Sequence, residues 1–294
     1  MRYSLRQLEV FLATANEENI TKAAGQLSMS QSAASSALSE FESQFDIQLF
    51  DRVGKKLQLN AFGRGVRPKA EALMQQAIEL ESVLTGQVGC GDLKVGATLT
   101  IGNYIAVGIM AQYMEEFPGD RVVLTVANTE DIAQKVLNFE LDIGLIEGEW
   151  QHPDMDVTPW CDDELVVFCS PTHAYVDKAG LKKKDLLAAA WILRESGSGT
   201  RQTFDRAMHG ILPDLNVALE LQHTEAIKRA VEADLGIGCL SQVVLKEAFR
   251  RRSLIQLNVP QRNFKRQFYF VLHKQKYQSL AIERWVTLCK AFSG

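Results

Sequence analysis

Nowhere in this sequence of 294 residues do apolar positions run for the roughly 20 residues that a bilayer-spanning helix needs. The N-terminus enters an amphipathic pattern directly, without a secretory apolar segment, so a cytoplasmic protein is expected. Cysteine is scarce and scattered: Cys90, Cys161, Cys169, Cys239 and Cys289 come with no Cys-x-x-Cys and no neighbouring histidine pair. They read as reduced thiols, mostly core, which leaves no disulfide framework and no metal centre. Neither sign of charge dominates, with 32 Lys and Arg against 36 Asp and Glu, which argues against general affinity for membranes or polyanions. Repeats and low-complexity tracts are missing too. Gly236-Ile237-Gly238 lacks both a phosphate-loop context and a following Gly at the fingerprint spacing, so no nucleotide cofactor is expected. His152, His173, His209 and His273 stand isolated, and Glu147 and Glu195 have no evident nucleophile or metal beside them, so the chain is not expected to be an enzyme.

What is present is a composition of 46% hydrophobic and 23% charged residues, which fits a globular chain of two or three domains. The most informative stretch is residues 19 to 42. A first helix starts near Asn19 or Thr21, either able to cap it, and runs through Ala23, Ala24 and Leu27. Ser28-Met29 turns the chain and Ser30 is the natural cap of a second helix. There Ala34, Leu38, Phe41 and Phe45 recur at helical spacing as a buried stripe. The opposite face presents Gln31, Ser32, Ser35, Ser36 and Ser39. Short hydroxyls and an amide near a helix N-terminus can reach phosphates and base edges at close range, as the second helix of a helix-turn-helix does.

Upstream, Leu5, Leu8, Phe11, Leu12 and Ala15 mark a third helix for a small core. Downstream, Gln48–Arg52 and Lys56–Asn60 flank Val53-Gly54-Lys55 as a hairpin with a basic tip, which makes the domain winged. Arg52, Lys55 and Lys56 are placed to grip phosphates or enter the minor groove. Residues 1 to 60 hold six Lys or Arg against seven Asp or Glu; adding Arg64, Arg67 and Lys69 brings the balance to plus two. Salt-sensitive binding with modest nonspecific affinity is expected.

Through LRQLEVF, TKAA, SQSA and QLFDR, residues 5 to 63 closely resemble the LysR-type transcriptional regulators. The sequence departs from that pattern at Ser32, where proline is usual, and at Ser36, where arginine is frequent. The resemblance implies DNA contacts at Thr21, Lys22, Ser30, Gln31, Ser32, Ser35, Ser36, Arg52, Lys55, Lys56 and Arg64. Residues 1–60 are then the winged domain. In a helix over 61–85, Val66, Ala70, Leu73, Ala77, Leu80 and Leu84 repeat every 3.5 residues on average, which is a coiled-coil seam. Paired recognition helices read two half-sites, so a homodimer is expected, with a homotetramer beyond it and RNA polymerase as a further partner. Gly86, Gly89 and Gly91 make 86–91 a hinge.

From residue 92 onward, strands of Val, Leu and Ile alternate with helices of ten to sixteen residues, which implies α/β units with mainly parallel sheets. Strands are expected at 93–98, 121–126, 142–146, 164–170 and 266–273, and helices at 102–117, 131–139, 198–208 and 279–292. The resemblance adds a two-lobed effector domain similar to periplasmic binding proteins, over 92–294. Lobe one is expected at about 92–161 and 268–294, and lobe two at about 162–267. Ligands of such sheets sit beyond the carboxyl ends of the strands, where helix N-termini present free N–H groups. Glu195-Ser196-Gly197-Ser198-Gly199-Thr200-Arg201 suits a carboxylate or small oxyanion, its alternative being an ordinary loop with a Ser cap. His223-Thr224-Glu225 opens a further helix and either completes the same cleft or is a plain cap.

GATLTIGNYI, DIGLIEG, DELVVF and WILRESGSGTR look closest to the YeiE-like branch of the family. That implies an effector pocket at Thr98, Thr100, Thr129, Glu147, Glu195, Ser196, Ser198, Thr200 and Arg201, and a sulfur oxyanion such as sulfite as its ligand. The residues themselves support a small anion. Anion binding is expected to close the lobes and alter the spacing or bend of bound DNA. A solute-binding protein, or an enzyme on the same two-lobed fold, would account for residues 92–294 but not for the winged module.

Overall fold

The computed structural model describes residues 2–85 and 92–292; the hinge expected at 86–91 lies outside the described residues. The chain forms two compact units. The first holds the N-terminal region together with Phe117–Asp120 and Gln275–Glu283, and the second holds the remainder.

In the first unit, helix α1 (Leu5–Glu17) starts at a capping box, in which the Ser4 hydroxyl accepts from Gln7 N and the Gln7 amide oxygen from Ser4 N. Helix α2 (Ile20–Gln26) is capped by Asn19, whose Oδ1 accepts from Thr21 N at 2.9 Å and Lys22 N at 3.1 Å; Thr21 is therefore the second helical residue and not the cap. Ser28 turns the chain with a φ of 54°, and Ser30 caps α3 (Gln31–Ser43) by accepting from Ala33 N at 3.2 Å. Leu8, Phe11, Ala24, Ala34, Leu38, Phe41 and Leu49 close into one core. The helix ends at Ser43, so the expected burial of Phe45 fails. Its ring is 41% exposed and sits edge-on to Phe41 at 6.0 Å.

Strands β1 (Phe50–Val53) and β2 (Lys56–Leu59) pair antiparallel with Val53 opposite Lys56, so the wing tip is Gly54-Lys55, and Gly54 supplies its φ of 63°. Helix α4 (Ala61–Thr85) begins where Asn60 Oδ1 accepts from Gly63 N at 2.8 Å. A Cβ on Gly63 would stand 2.2 Å from the Leu49 carbonyl oxygen, so only glycine lets this turn lie against the core. The seam residues divide along the helix. Ala70, Leu73 and Val66 join the core of the first three helices, whereas Leu80 is 60% and Leu84 77% exposed, next to exposed Ile78 and Val83.

The second unit runs β3 (Leu93–Thr98), α5 (Leu99–Ile101), a π-helical turn (Gly102–Ala106), α6 (Val107–Glu116), β4 (Val122–Ala127), α7 (Thr129–Leu137), β5 (Ile143–Glu147) and the long β6 (Met155–Cys169). It continues through α8 (Lys183–Ala188), β7 (Ala190–Arg194), α9 (Gly199–Ala207), β8 (Asn216–Leu221), α10 (Thr224–Glu232), β9 (Ile237–Ser241), α11 (Gln242–Arg250), β10 (Ile255–Leu257), β11 (Lys265–His273) and α12 (Leu280–Ala291), whose residues up to Glu283 count with the first unit. One half of the sheet has the order β4-β3-β5-β11-β6, the other β6-β9-β7-β8 with β10 on the far side of β6. The expectation of mainly parallel sheets gives way to a mixed one. Parallel pairs β3–β4, β3–β5, β7–β8 and β7–β9 are matched by antiparallel pairs of β11 with β5 and β6, and of β6 with β9 and β10. β6 and β11 are the reason: each crosses from one half to the other and runs against its neighbours. The register of β11 on β6 shifts between Phe268 and Tyr269, opposite Pro159 and Cys161, where proline cannot donate to the ladder.

β7 and β9 carry apolar residues on both faces. Trp191, Leu193, Phe204 and Met208 pack one layer, while Ile192, Ile227, Leu240 and Val244 pack the other. A parallel strand covered by helices on both sides needs such unbroken apolar runs.

Candidate nucleic-acid interface and effector site

In the first unit the caps place α3 so that its apolar stripe faces the core and Thr21, Lys22, Ser30, Gln31, Ser32, Ser35 and Ser36 face outward, all exposed. Ser30 is engaged as the cap and meets the Ser32 hydroxyl at 3.0 Å. Arg52, Lys55 and Lys56 are exposed on the wing. Lys56 is committed to Glu18 at 2.6 Å, and Arg64 donates to the Leu59 carbonyl at 2.6 Å. Among the described residues Lys22, Arg52 and Lys55 have no acceptor, which leaves them available to phosphates. Arg67, counted above toward the basic balance, is instead 8% exposed, bonded to Asn16 and paired with Glu71 at 3.1 Å.

In the second unit the carboxyl ends of β3 and β5 and the N-termini of α5, α7 and α9 meet at Glu147, which is 1% exposed. Its Oε1 accepts from Thr100 N at 3.2 Å, its Oε2 from the Thr200 hydroxyl at 2.8 Å, and Arg266 pairs with it. Burial alone would push this carboxyl up. Arg266, Thr200, Arg194 and Thr100 together reverse that and hold it down at about 2, so it is an anion at neutral pH. Arg266 also binds Asp163 Oδ2 at 2.6 Å, and Asp163 Oδ1 accepts from the Ser241 hydroxyl at 2.7 Å, so one network ties β5, both crossing strands, α9 and β9. Thr98 Oγ1, Thr100 Oγ1 and Arg266 Nη2 are buried with no partner.

The backbone here is a close seam. The Thr129 hydroxyl donates to the Glu147 carbonyl at 2.8 Å and accepts from Gly199 N at 3.2 Å. A Cβ on Gly199 would lie 1.8 Å from that same carbonyl oxygen. Ser198 precedes α9 but makes no side-chain cap bond, so the loop is not an ordinary serine-capped start. Ser196, Ser198, Thr129 and Arg201 line a cavity of about 290 Å³ together with Glu130, Glu149 and Asp205. Two expected participants are engaged elsewhere. Glu195 forms a two-point pair with Arg194 at 2.7 and 2.8 Å, and Arg201 binds Asp205 and Glu220, each at 2.8 Å, and the Arg194 carbonyl at 3.0 Å. His223 precedes α10 without a side-chain cap bond, and the Tyr104 hydroxyl donates to Glu225 at 2.6 Å.

Arg266, Arg194 and Asp163 escaped the sequence reading. The signal for Arg266 was its phase: in β11 it alternates with buried Phe268 and Phe270, an inward position that a cation takes only with a partner. Cys161, Cys169, Cys239 and Cys289 are free thiols. Burial and then Asp163 and Asp162 push Cys161 up to about 11, burial and Asp234 do the same for Cys169, and burial raises Cys239 and Cys289 further. Such thiols are not nucleophiles at neutral pH. Among the described residues no cluster could hold a metal ion and no helix is long and apolar enough to cross a membrane.

A winged helix-turn-helix joined to a two-lobed α/β domain with a buried polar seam defines a transcriptional regulator carrying an effector-binding domain. The chain belongs to the LysR family: residues 5–64 match the bacterial regulatory helix-turn-helix protein, lysR family, and residues 86–293 the LysR substrate binding domain. It is 41% identical over 289 residues to the uncharacterized HTH-type transcriptional regulator YeiE of Escherichia coli, covering 98% of both chains. A full-length OxyR variant from Pseudomonas aeruginosa has the same fold, with a TM-score of 0.76 at 20% identity over 100% of this chain and 96% of that one. The regulatory domain of Synechocystis CcmR, solved in complex with 2-PG, is 29% identical and has a TM-score of 0.63 over 68% of this chain and 96% of that one.

Proposed function

We propose that this regulator binds promoter DNA in the cytoplasm as a homodimer joined through α4, assembles into a homotetramer that works with RNA polymerase, and answers to a small oxyanion. Sulfite or a chemically related ion is the effector in this reading. Its site is the seam of Thr98, Thr100, Thr129, Glu147, Ser196, Ser198 and Thr200, with Glu195 and Arg201 framing the loop. The observation that carries this reading is the set of donors left over there: two threonine hydroxyls and one guanidinium N–H, all buried, have no acceptor. A buried donor without a partner costs about 1–3 kcal/mol, which a bound oxyanion would recover. The 2-PG complex of the related CcmR domain supports a small-molecule site in this domain.

The ion would take the unpartnered Thr98 and Thr100 hydroxyls beside the anionic Glu147, so its binding biases the seam between two arrangements. Only a difference in affinity between them moves the equilibrium. Footprinting of the full chain on promoter DNA, with and without sulfite, tests both halves of the reading. Protection that shifts with sulfite, and a stability that climbs with the ion as RT ln(1 + [L]/Kd) and raises the melting temperature, are expected. Thr100→Val should abolish the sulfite response and keep the footprint, while Gln31→Ala or Ser35→Ala should do the reverse. No protected segment at any salt concentration would end the DNA reading; no stabilisation by sulfite would end the effector reading.

A further inference from the structure

The end of β5 meets α9 through Thr129, Glu147, Gly199 and Thr200. A second joint between the two halves of the sheet stands outside that seam. Tyr104, in the π-helical turn between α5 and α6, donates its hydroxyl to Glu225 Oε1 at 2.6 Å, and Glu225 lies in the first turn of α10, between β8 and β9. Lys228 completes the joint: its Nζ donates to the same oxygen at 2.7 Å and lies 5.9 Å from the centre of the Tyr104 ring. Burial and then Glu225 raise the Tyr104 phenol above its ordinary value, so it stays a donor at neutral pH. Burial alone would raise the Glu225 carboxyl, but Lys228 and Tyr104 hold it below its ordinary value, so it stays an ionised acceptor. A hydroxyl on a carboxylate makes a short, strong bond. The pair of Lys228 with Glu225 is one turn of a single helix and contributes little by itself. The Tyr104 bond differs in kind, because it joins groups 121 residues apart in sequence. Its element is also unusual. A π-helical turn is rare and occurs mostly at functional sites, and Gly102 seats this one on β4, where a Cβ would stand 2.7 Å from Val126. The same stretch, 99–106, carries Thr100, whose N–H binds Glu147 and whose hydroxyl is buried without a partner. Tyr104 therefore stands about one helical turn from a donor of the seam.

We infer that Tyr104, Glu225 and Lys228 are a latch, which holds the two halves of the effector-binding sheet in the arrangement where the donors of the seam converge and thereby sets how tightly the seam takes its ion. The ion is the one proposed above, and that part of the inference rests on the oxyanion reading. Thr98 and Thr100 stand at the end of β3, while Thr200 and Arg266 reach the seam from α9 and β11. These groups serve one ligand only while the halves keep their spacing. A site that is competent for part of the time shows an affinity reduced by that fraction, so a broken latch weakens binding without removing any group that touches the ion. Tyr104, Glu225 and Lys228 are thus positioning residues. The coupling is reciprocal: a bound ion steadies the latch as much as the latch favours the ion.

The test is amide hydrogen exchange on the full chain, beside a calorimetric titration with sulfite. Tyr104→Phe removes one hydroxyl and keeps the ring against Lys228, and Glu225→Gln removes the acceptor's charge and keeps its shape. Both should melt close to wild type without ligand, since a partly exposed bond adds little to global stability. In ligand-free protein both should speed exchange about fivefold in the π-helical turn, at Ile227, whose N–H is held by the His223 carbonyl, and at Gly199, whose N–H is held by Thr129 across the seam. A bond that merely decorates the surface would not move Gly199. Sulfite should bind both variants about fivefold more weakly, and in wild type it should slow exchange at the latch. Wild-type exchange at Gly199 in both variants would overturn the latch, and faster exchange with unchanged sulfite affinity would overturn its hold on the seam. A wild-type protein that ignores sulfite, while Gly199 still answers to Tyr104→Phe, would remove the oxyanion reading and leave the latch standing.

Discussion

Glu147 is the side chain on which the effector-binding unit turns, because four groups from different elements stabilise one buried negative charge. Its folded-state pKa, about 2, lies below its ordinary 4.5. The sign follows from linkage. A depressed carboxyl contributes stability that is fully present above its unfolded value and is lost as pH falls toward the folded one. At about 1.4 kcal/mol per pH unit that is roughly 3 kcal/mol at neutral pH. Denaturant titration of wild type against Glu147→Gln should show a gap of that order at pH 7, shrinking as the pH drops from about 5 to about 3; a gap that does not change with pH would refute the charge assignment. Gly199→Ala tests the same seam by shape alone. The 1.8 Å approach of its added carbon to the Glu147 carbonyl cannot be relieved by a side-chain rotation, so a loss of about 2 kcal/mol or more is expected in the same titration.

Among elements, what was legible in the sequence was whatever local chemistry determines. Ser30 caps α3 and Gly54 turns the wing, because caps and turns are decided by one side chain and its nearest amides. Ser30→Ala should therefore cost about 1 kcal/mol of stability by thermal melting, with the fold retained. The extent of β6 was not legible. Its half over Leu165–Cys169 is an apolar run, but Asp156, Pro159, Asp162 and Asp163 break the pattern across Met155–Glu164, which becomes a strand because β11 pairs along its whole length. Long-range pairing of this kind overrides local propensity. The same holds for the seam: the hydroxyl-rich loop and the end of β5 could be picked out locally, while Arg266 and Asp163 meet Glu147 only through the crossing strands. The pairing of Arg201 with Glu220 likewise needs β8, whereas its other partner, Asp205, stands one turn along α9. Phe45 illustrates the opposite error, a periodic position just beyond the point where its helix ends.

For the molecule as a whole, weak charge is the problem that pairing solves. A winged domain with near-balanced charge, in which Lys56 and Arg67 are held by Glu18 and Glu71, offers Lys22, Arg52 and Lys55 as uncommitted cations on its helix-turn-helix and wing among the described residues. Counterion release makes the logarithm of DNA affinity fall against the logarithm of salt by about 0.9 for each phosphate neutralised. Three cations on one copy then give a slope near −3, and a pair gives a slope near −5. In the dimer proposed above, the exposed Leu80 and Leu84 at the far end of α4 are the surface through which two copies join, since an exposed apolar stripe is costly in water. Leu80→Glu with Leu84→Glu should leave the winged core intact, because neither side chain belongs to it, and halve the oligomeric state in sedimentation by parting the copies joined through α4. Affinity for a promoter with two half-sites should drop steeply while the salt slope halves. A variant parted at α4 that kept the steep slope would show that the cations of one copy suffice and that pairing has another purpose.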